Sequence, residues 1–113
     1  MKQNKSIVTE YTDISAFSGA PAECKHHLLF GRGIRELADQ DGIYIPLTNS
    51  EHNMSPNGNL YQIHGNPVAE KLSKMCGQLA WEKEYYRKLL NFEGKDTDEA
   101  REAFRKRYSI SYL

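Results

Sequence analysis

All four histidines of this chain lie between residues 26 and 64, and two of them are adjacent. They are His26, His27, His52 and His64. Imidazole is a common metal ligand, and its unperturbed pKa of about 6.5 also allows it to take a proton from water near neutral pH. A single histidine usually has a structural role, but four in segments bounded by glycine, asparagine and proline favour a metal-binding site. A chain that uses this set must fold so that distant residues meet around one ion.

Two short segments predict a β-hairpin that contains the adjacent histidines. Residues 22–28 are followed by two glycines, and residues 43–47 are rich in β-branched and aromatic side chains. Pro46 cannot donate a ladder hydrogen bond, so the second strand is expected at a sheet edge or at its own end. The residues between the strands are too many for a tight turn, and residues 34–39 could supply one or two helical turns.

The other two histidines follow the second strand. Thr48 or Asn49 can cap a short helix that would bring His52 toward the hairpin. Residues 54–66 are predicted to form a loop because they contain a Pro-Asn-Gly turn signal, and His64 lies near the far end of that loop.

Two helices are predicted at the C-terminal end, within residues 67–108. Asn66 followed by Pro67 is a typical helix start, and this first helix is expected to extend to about Asn91. Gly77 costs about 1 kcal/mol in a helix relative to alanine, which indicates a close approach to the hairpin. An apolar series near helical spacing predicts the buried face. Its members are Val68, Leu72, Met75, Leu79, Tyr86 and either Leu89 or Leu90.

The second of these helices is expected from Thr97 through Tyr108. Ala100, Phe104 and Tyr108 recur at every fourth position, so they should lie on one face together. The apolar tail of residues 110–113 is expected to dock on the domain. Three aromatic residues of the long helix could belong to the core, to a partner surface or to a base-stacking surface, with the core favoured. They are Trp81, Tyr85 and Tyr86.

The composition is that of one small domain spanning residues 1–113. Residues 1–14 are predicted to be a flexible arm or to contain an edge strand at residues 7–11. Two cysteines, no apolar leader and no run long enough to cross a membrane favour the cytoplasm. Lys plus Arg and Asp plus Glu each number 15, and this net charge of zero argues against tight non-specific duplex binding by the chain alone.

Four strings of residues resemble a known family. They are His26-His27-Leu-Leu-Phe-Gly, Asp41-Gly-Ile-Tyr-Ile-Pro-Leu, His52-Asn53 and Ile63-His64. Together they are similar to the HNH (ββα-metal) endonuclease superfamily, and most of all to small HNH-like proteins encoded by phages and prophages of Gram-positive bacteria. Residues 100–113 are also similar to the C-terminal pattern of these proteins, so the resemblance covers most of residues 15–113.

The resemblance implies an α+β fold, in which a ββα-metal core hairpin is followed by a long C-terminal helix and a further short helix. It implies a metal-dependent endonuclease that hydrolyses phosphodiester bonds of nucleic acid, with DNA favoured, in the cytoplasm of a bacterial host cell. One divalent cation, Mg, Mn, Zn or Ni, would be the cofactor. A phage or host protein could bind through the C-terminal helices.

The resemblance also implies roles for single residues. His27 resembles the general base that activates water, and His26 and His52 resemble metal ligands. His64 is the candidate for the third ligand.

The loop beside the histidine pair contains Arg32 and Arg35, either of which could hold a substrate phosphate. The middle Asn of the family motif would fall near Ile43, so Asp41 or a backbone carbonyl would have to orient the general base. The cysteine pairs that bind structural zinc in many relatives are absent from the corresponding positions, so no cysteine-based zinc site is expected.

Two other functions stay open on the sequence alone. In one, the chain is a non-catalytic binding module whose histidines clamp a metal for stability while the long helix recruits a partner. In the other, it is an accessory protein of phage recombination that cuts only when a partner positions the DNA, which would suit its neutral charge.

Overall fold

A computed structural model describes residues 5–88 and 98–113 of the chain. The described part is a small α+β domain made of a two-stranded antiparallel hairpin and helices, as the sequence predicts. The elements in chain order are β1 (Cys24–His27), α1 (Ile34–Asp41), β2 (Tyr44–Leu47), α2 (Asn49–His52), a 3-10 turn (Asn59–Tyr61), α3 (Pro67–Lys88) and α4 (Glu99–Tyr108). No helix among these described residues is long and apolar enough to span a membrane.

The hairpin pairs Cys24 with Leu47 at one end and His27 with Tyr44 at the other. Both strands are shorter than the predicted segments, which contain them. The carbonyl of Pro46 accepts a hydrogen bond from the backbone N–H of Ala16 at 2.9 Å, so a turn of the N-terminal region covers this end of β2. The proline is tolerated because its position needs an acceptor and no donor.

Residues 7–11 do not form the edge strand that was one of two predictions for the N-terminal region. The backbone of Ile7 instead donates to the carbonyl of Gly42, and the hydroxyl of Ser6 donates to the carbonyl of Tyr44. This segment crosses the junction of α1 and β2 so closely that a Cβ on Gly42 would lie 2.2 Å from the carbonyl oxygen of Lys5. Gly42 also has a φ of 74°, so both its backbone and its surroundings require glycine.

The hydrophobic core lies between the hairpin, α1 and α4. Leu29, Ile43 and Leu47 are fully buried there. The predicted face of α4 is confirmed, because Ala100, Phe104 and Tyr108 are all buried, and the rings of the latter two stack with centroids 4.5 Å apart. Tyr112 of the C-terminal tail packs against the same core, as expected for a docking tail.

The predicted buried face of α3 is wrong. Val68, Leu72 and Leu79 are exposed by 70%, 54% and 53%, respectively. The buried positions are instead small or polar: Ser73, Gly77, Gln78, Glu82 and Glu84. The predicted series ends at Leu89 or Leu90, and the predicted helix ends at Asn91. These residues lie outside the described part of the chain.

The small and polar face of α3 is buried because the helix lies in close contact with the hairpin at Gly77. A Cβ there would lie 2.9 Å from Cγ of Leu29 and 3.0 Å from Cβ of Leu28, so a helix this near the hairpin has room only for small residues. The buried polar side chains have partners. Gln78 donates to the hydroxyl of Ser111, and Arg101 of α4 donates to Glu82. The close approach at Gly77 confirms the sequence prediction even though the face around it differs.

The aromatic residues of α3 lie against α4. The indole ring of Trp81 contacts the ring of Phe104 with centroids 5.6 Å apart, and its N–H donates to a carboxylate oxygen of Asp41. Tyr85 stacks on Trp81 and donates its hydroxyl hydrogen to Glu99. Trp81 therefore supports the core, as favoured by the sequence, while Tyr85 bridges the two helices at the surface.

Candidate metal centre

Three of the four imidazoles converge. The ring centroids of His26 and His52 are 5.2 Å apart, those of His26 and His64 are 5.1 Å apart, and those of His52 and His64 are 4.6 Å apart. One nitrogen from each ring lies within 4.8 Å of the corresponding nitrogens of the other two, which is close enough for the three to hold one metal ion. The structure thus brings together the three residues that were predicted as ligands from widely separated positions.

The two histidines beyond the hairpin are brought together by backbone hydrogen bonds. The N–H of Ile63 donates to the carbonyl of Glu51, and the N–H of His64 donates to the carbonyl of His52, both at 3.0 Å. These two bonds close the loop between the two histidines. They place the backbone of residue 64 beside that of residue 52, independently of any contact between side chains.

Helix α2 is held by a capping box. The Thr48 hydroxyl accepts from the N–H of Glu51, and the Glu51 carboxylate accepts from the N–H of Thr48 and from the hydroxyl of Ser15. Of the two predicted caps, Thr48 and Asn49, the structure has Thr48. Since α2 is a single turn, these bonds fix the direction of its last residue, His52.

His26 is completely buried, and its two ring nitrogens have different surroundings. Nε2 lies 2.8 Å from the hydroxyl oxygen of Ser73 on α3, whereas Nδ1 is buried and has no hydrogen-bond partner among the described residues. Burial, followed by the neighbouring charges of His52, His64 and His27, lowers the pKa of His26 to about 3. The ring is therefore neutral at physiological pH, which is the form that binds a metal.

The pKa of His52 is also lowered, first by burial and then by the neighbouring charges of His64 and Arg35. His64, the third imidazole, contacts a carboxylate group. Its Nδ1 lies 3.4 Å from an oxygen of Glu70, which is in the first turn of α3.

His27 is the fourth imidazole and is not one of the three that converge. It follows His26 on β1, where consecutive side chains point to opposite faces, yet its charge still contributes to lowering the pKa values of His26 and His52. Its Nε2 lies 2.9 Å from Oδ1 of Asp39 in α1. The hydrogen bond from His27 is also the main cause that lowers the pKa of Asp39. The side chain of His27 is only 10% exposed, so the ring is held firmly in one orientation.

The carboxylate beside His27 is not the one predicted. Asp41, proposed to orient the base, accepts hydrogen bonds from Trp81, Arg107 and Tyr108, at 3.0, 2.6 and 2.7 Å. Asp39 occupies the position expected of Asp41. The reason is that α1 continues through both residues, and side chains two positions apart on a helix point in nearly opposite directions, about 200° around its axis.

The two candidate phosphate-binding arginines are placed differently. Arg35 is in the first turn of α1, and its charge contributes to lowering the pKa values of both His52 and Asp39, after the larger effects described above. Arg32 is exposed in the turn that precedes α1.

Sequence reasoning missed three residues of this site: Asp39, Glu70 and Ser73. Asp39 has a weak local signal, since it is one of two acids at the end of α1. Glu70 and Ser73 are three residues apart in α3 and so share a face, but only the packing of α3 against the hairpin shows which residues that face meets.

Comparisons with protein families, curated proteins and solved structures found no match for this chain.

Proposed function

We propose that this protein is a metal-dependent HNH-type endonuclease that hydrolyses phosphodiester bonds, with DNA as the favoured substrate, in a bacterial host cell. In this proposal β1, β2 and α2 are the ββα-metal core. The observation that carries the proposal is the division of the four imidazoles, in which three converge and the fourth lies outside the trio against a carboxylate. A hydrolytic site that uses one metal ion and one general base needs this division of roles.

The chemistry of the trio supports metal binding. A buried polar atom without a partner is rare in proteins and costly, and Nδ1 of His26 is such an atom. A metal ion bound there would satisfy it. Three imidazole nitrogens suit Zn or Ni better than Mg, which prefers oxygen ligands. We therefore expect Zn or Ni to bind most tightly among the four candidate ions, with open coordination positions left for water or phosphate.

The fourth imidazole is arranged as a general base. With Nε2–H of His27 donating to Asp39, the Nδ1 lone pair is left to accept a proton from water, and the carboxylate stabilises the imidazolium that forms. Arg35 would bind an oxygen of the substrate phosphate beside His27. When bound, the divalent ion would supply charge stabilisation at the phosphate and at the leaving oxygen.

The test uses metal content and plasmid nicking by purified protein with added Zn, Ni, Mn or Mg. We expect His27→Ala to abolish nicking while keeping the fold and the metal. His64→Ala is the matched comparison, and it should lose both metal and nicking. A His27→Ala protein that cuts as fast as the parent would contradict the role of His27.

A second candidate function is a non-catalytic binding module in which the same trio clamps a metal for stability. The exposed apolar row of α3, formed by Val68, Leu72 and Leu79, and the net charge of zero favour a protein partner over nucleic acid. An accessory role in phage recombination, with cleavage only beside a partner, would use the same surface. Loss of the fold on chelation, without cleavage under any of the four ions, would select the binding module.

A further inference from the structure

We propose that Ser73 and Glu70 of helix α3 are positioning residues, which fix the ring tautomers of His26 and His64 so that each presents a lone pair to the metal. This inference rests on the proposed metal centre. It assigns a role to α3 that the resemblance to nucleases did not include.

The hydroxyl group of Ser73 has a single hydrogen to donate. Oγ of Ser73 donates to the carbonyl of Leu28 at 2.8 Å, and the same Oγ lies 2.8 Å from Nε2 of His26. Since the hydroxyl has only one hydrogen to donate, its contact with His26 requires Ser73 to accept. His26 therefore has its proton on Nε2.

The opposite tautomer has two costs. It would put a hydrogen on Nδ1 of His26, where a buried donor would have no acceptor in the part of the chain that the structure describes. It would also turn the Ser73 hydroxyl away from the carbonyl of Leu28. Both effects favour the same tautomer, in which the buried Nδ1 has a free lone pair and is the metal-binding nitrogen.

Glu70 has the same relation to His64, one turn earlier on α3. A carboxylate only accepts, so Nδ1 of His64 must be the protonated nitrogen in its 3.4 Å contact with Glu70. Nε2 of His64 is then left for the metal. This contact is longer and more exposed than the contact of Ser73 with His26, so its effect on zinc affinity should be smaller.

The start of α3 is tied to the same site. The side chain of Asn66 accepts from the N–H of Ala69, and the N–H of Asn66 donates to the carbonyl of Ile63, the residue before His64. These bonds set the position of the first turns of α3 relative to the trio. Ser73 and Glu70, three residues apart, then meet two of its rings from one helix face.

The experiment measures ring tautomers and zinc affinity separately. In metal-free protein, nitrogen-15 NMR of the histidine rings should show His26 protonated on Nε2, and Ser73→Ala should lose this single tautomer. Zinc titration calorimetry should show an affinity about 10- to 100-fold lower for Ser73→Ala, as is typical when a residue behind a metal ligand is removed. Ser73→Thr keeps the hydroxyl and should keep most of the affinity.

Glu70→Gln provides a variant at a half-exposed position that should fold normally, with a smaller loss of zinc affinity. A parent protein with His26 protonated on Nδ1 would overturn the inference, as would a folded Ser73→Ala protein with the parent's tautomer and zinc affinity. A parent that binds zinc with the expected tautomers but cuts no nucleic acid would overturn the nuclease function alone. A parent that binds none of Zn, Ni, Mn and Mg would overturn both the inference and the nuclease function.

Discussion

The carboxylate of Asp39 lies 2.9 Å from Nε2 of His27 and joins the last residue of β1 to helix α1. This contact leaves the other ring nitrogen of His27 as the only one that can accept a proton. His27 is also not one of the three imidazoles that would hold the metal, so the two functions can be tested independently.

Asp39→Asn should reduce the cleavage rate on the order of 100-fold, near the lower end of what a positioned general base contributes. The reason is that an amide neither stabilises the imidazolium nor selects the tautomer. Zinc affinity should stay within about 2-fold of the parent, since the hydrogen bond of Asp39 is to His27, which is not one of the three proposed ligands. Glu36→Gln, an exposed acid on the same helix, is the control and should cut normally. Equal rates for the two variants would remove Asp39 from the mechanism.

Arg35→Ala should weaken substrate binding, seen as a KM for DNA raised about 10-fold, because a charge-assisted contact to phosphate contributes about 1.5–3 kcal/mol. Arg32→Ala removes the same charge three residues earlier, in the turn before α1, and should change KM much less. Steady-state cleavage at several DNA concentrations separates KM from kcat. The reverse order of effects would assign the phosphate contact to Arg32.

The stability of the metal-free protein should fall as the pH drops below about 6.5. The pKa of His26 is about 3 in the folded chain and near its ordinary 6.5 in the unfolded chain, so the unfolded chain takes up this proton first. One such group lowers the free energy of unfolding by about 1.4 kcal/mol per pH unit within that window. His52, whose pKa is also lowered, acts in the same direction.

Urea unfolding at pH 7, 6 and 5 measures this slope above the range where carboxylates titrate. His26→Gln, which has no proton to gain, should have a clearly smaller slope than the parent. If the parent's unfolding free energy is constant from pH 7 to pH 5, His26 is not a buried neutral base in the folded protein.

Zinc should stabilise the fold. At a free concentration 100 times its Kd, a ligand that binds only the folded state adds about 2.7 kcal/mol. For a chain of this size, that corresponds to a Tm increase of about 10 °C. Thermal unfolding with zinc, with magnesium and with excess chelator measures the effect. His52→Ala should abolish the zinc-dependent increase, and a magnesium effect equal to that of zinc would contradict a site made of imidazoles.

Gly77→Ala should destabilise the protein, although alanine is the better helix former by about 1 kcal/mol. The added methyl group would lie closer to Leu28 and Leu29 than van der Waals contact allows. Overpacking of this kind costs about 1–3 kcal/mol. Cys76→Ala, at the exposed neighbouring position, is the control and should have little effect. A more stable Gly77→Ala protein in urea unfolding would show that α3 can move away from the hairpin.

Features that depend on neighbouring residues could be predicted from the sequence. The cap at Thr48, the helix start at Pro67 and the buried face of α4 each arise from chemistry within one or two helical turns. The three histidines that converge are also the three that the sequence proposed as metal ligands, because their residue type is rare in this chain and their spacing resembles a known motif.

Features that depend on which face of a helix packs against a distant part of the chain could not be predicted. Apolar periodicity pointed to the wrong face of α3, since the close approach at Gly77 excludes large side chains and the buried polar groups are satisfied by α4 and the tail. The choice of Asp39 over Asp41 has the same origin, because it depends on how far α1 continues before Gly42 ends it.

The sequence by itself determined the order of the elements and the kinds of side chain available to a metal and to a proton. Only the tertiary structure decided which partners the ring nitrogens of His26, His27 and His64 meet. That choice depends on single hydrogen bonds to residues far along the chain, such as the contact of Ser73 with His26 across 47 positions. Such a bond is set by packing distances of a few tenths of an ångström, and no local pattern of residues specifies these.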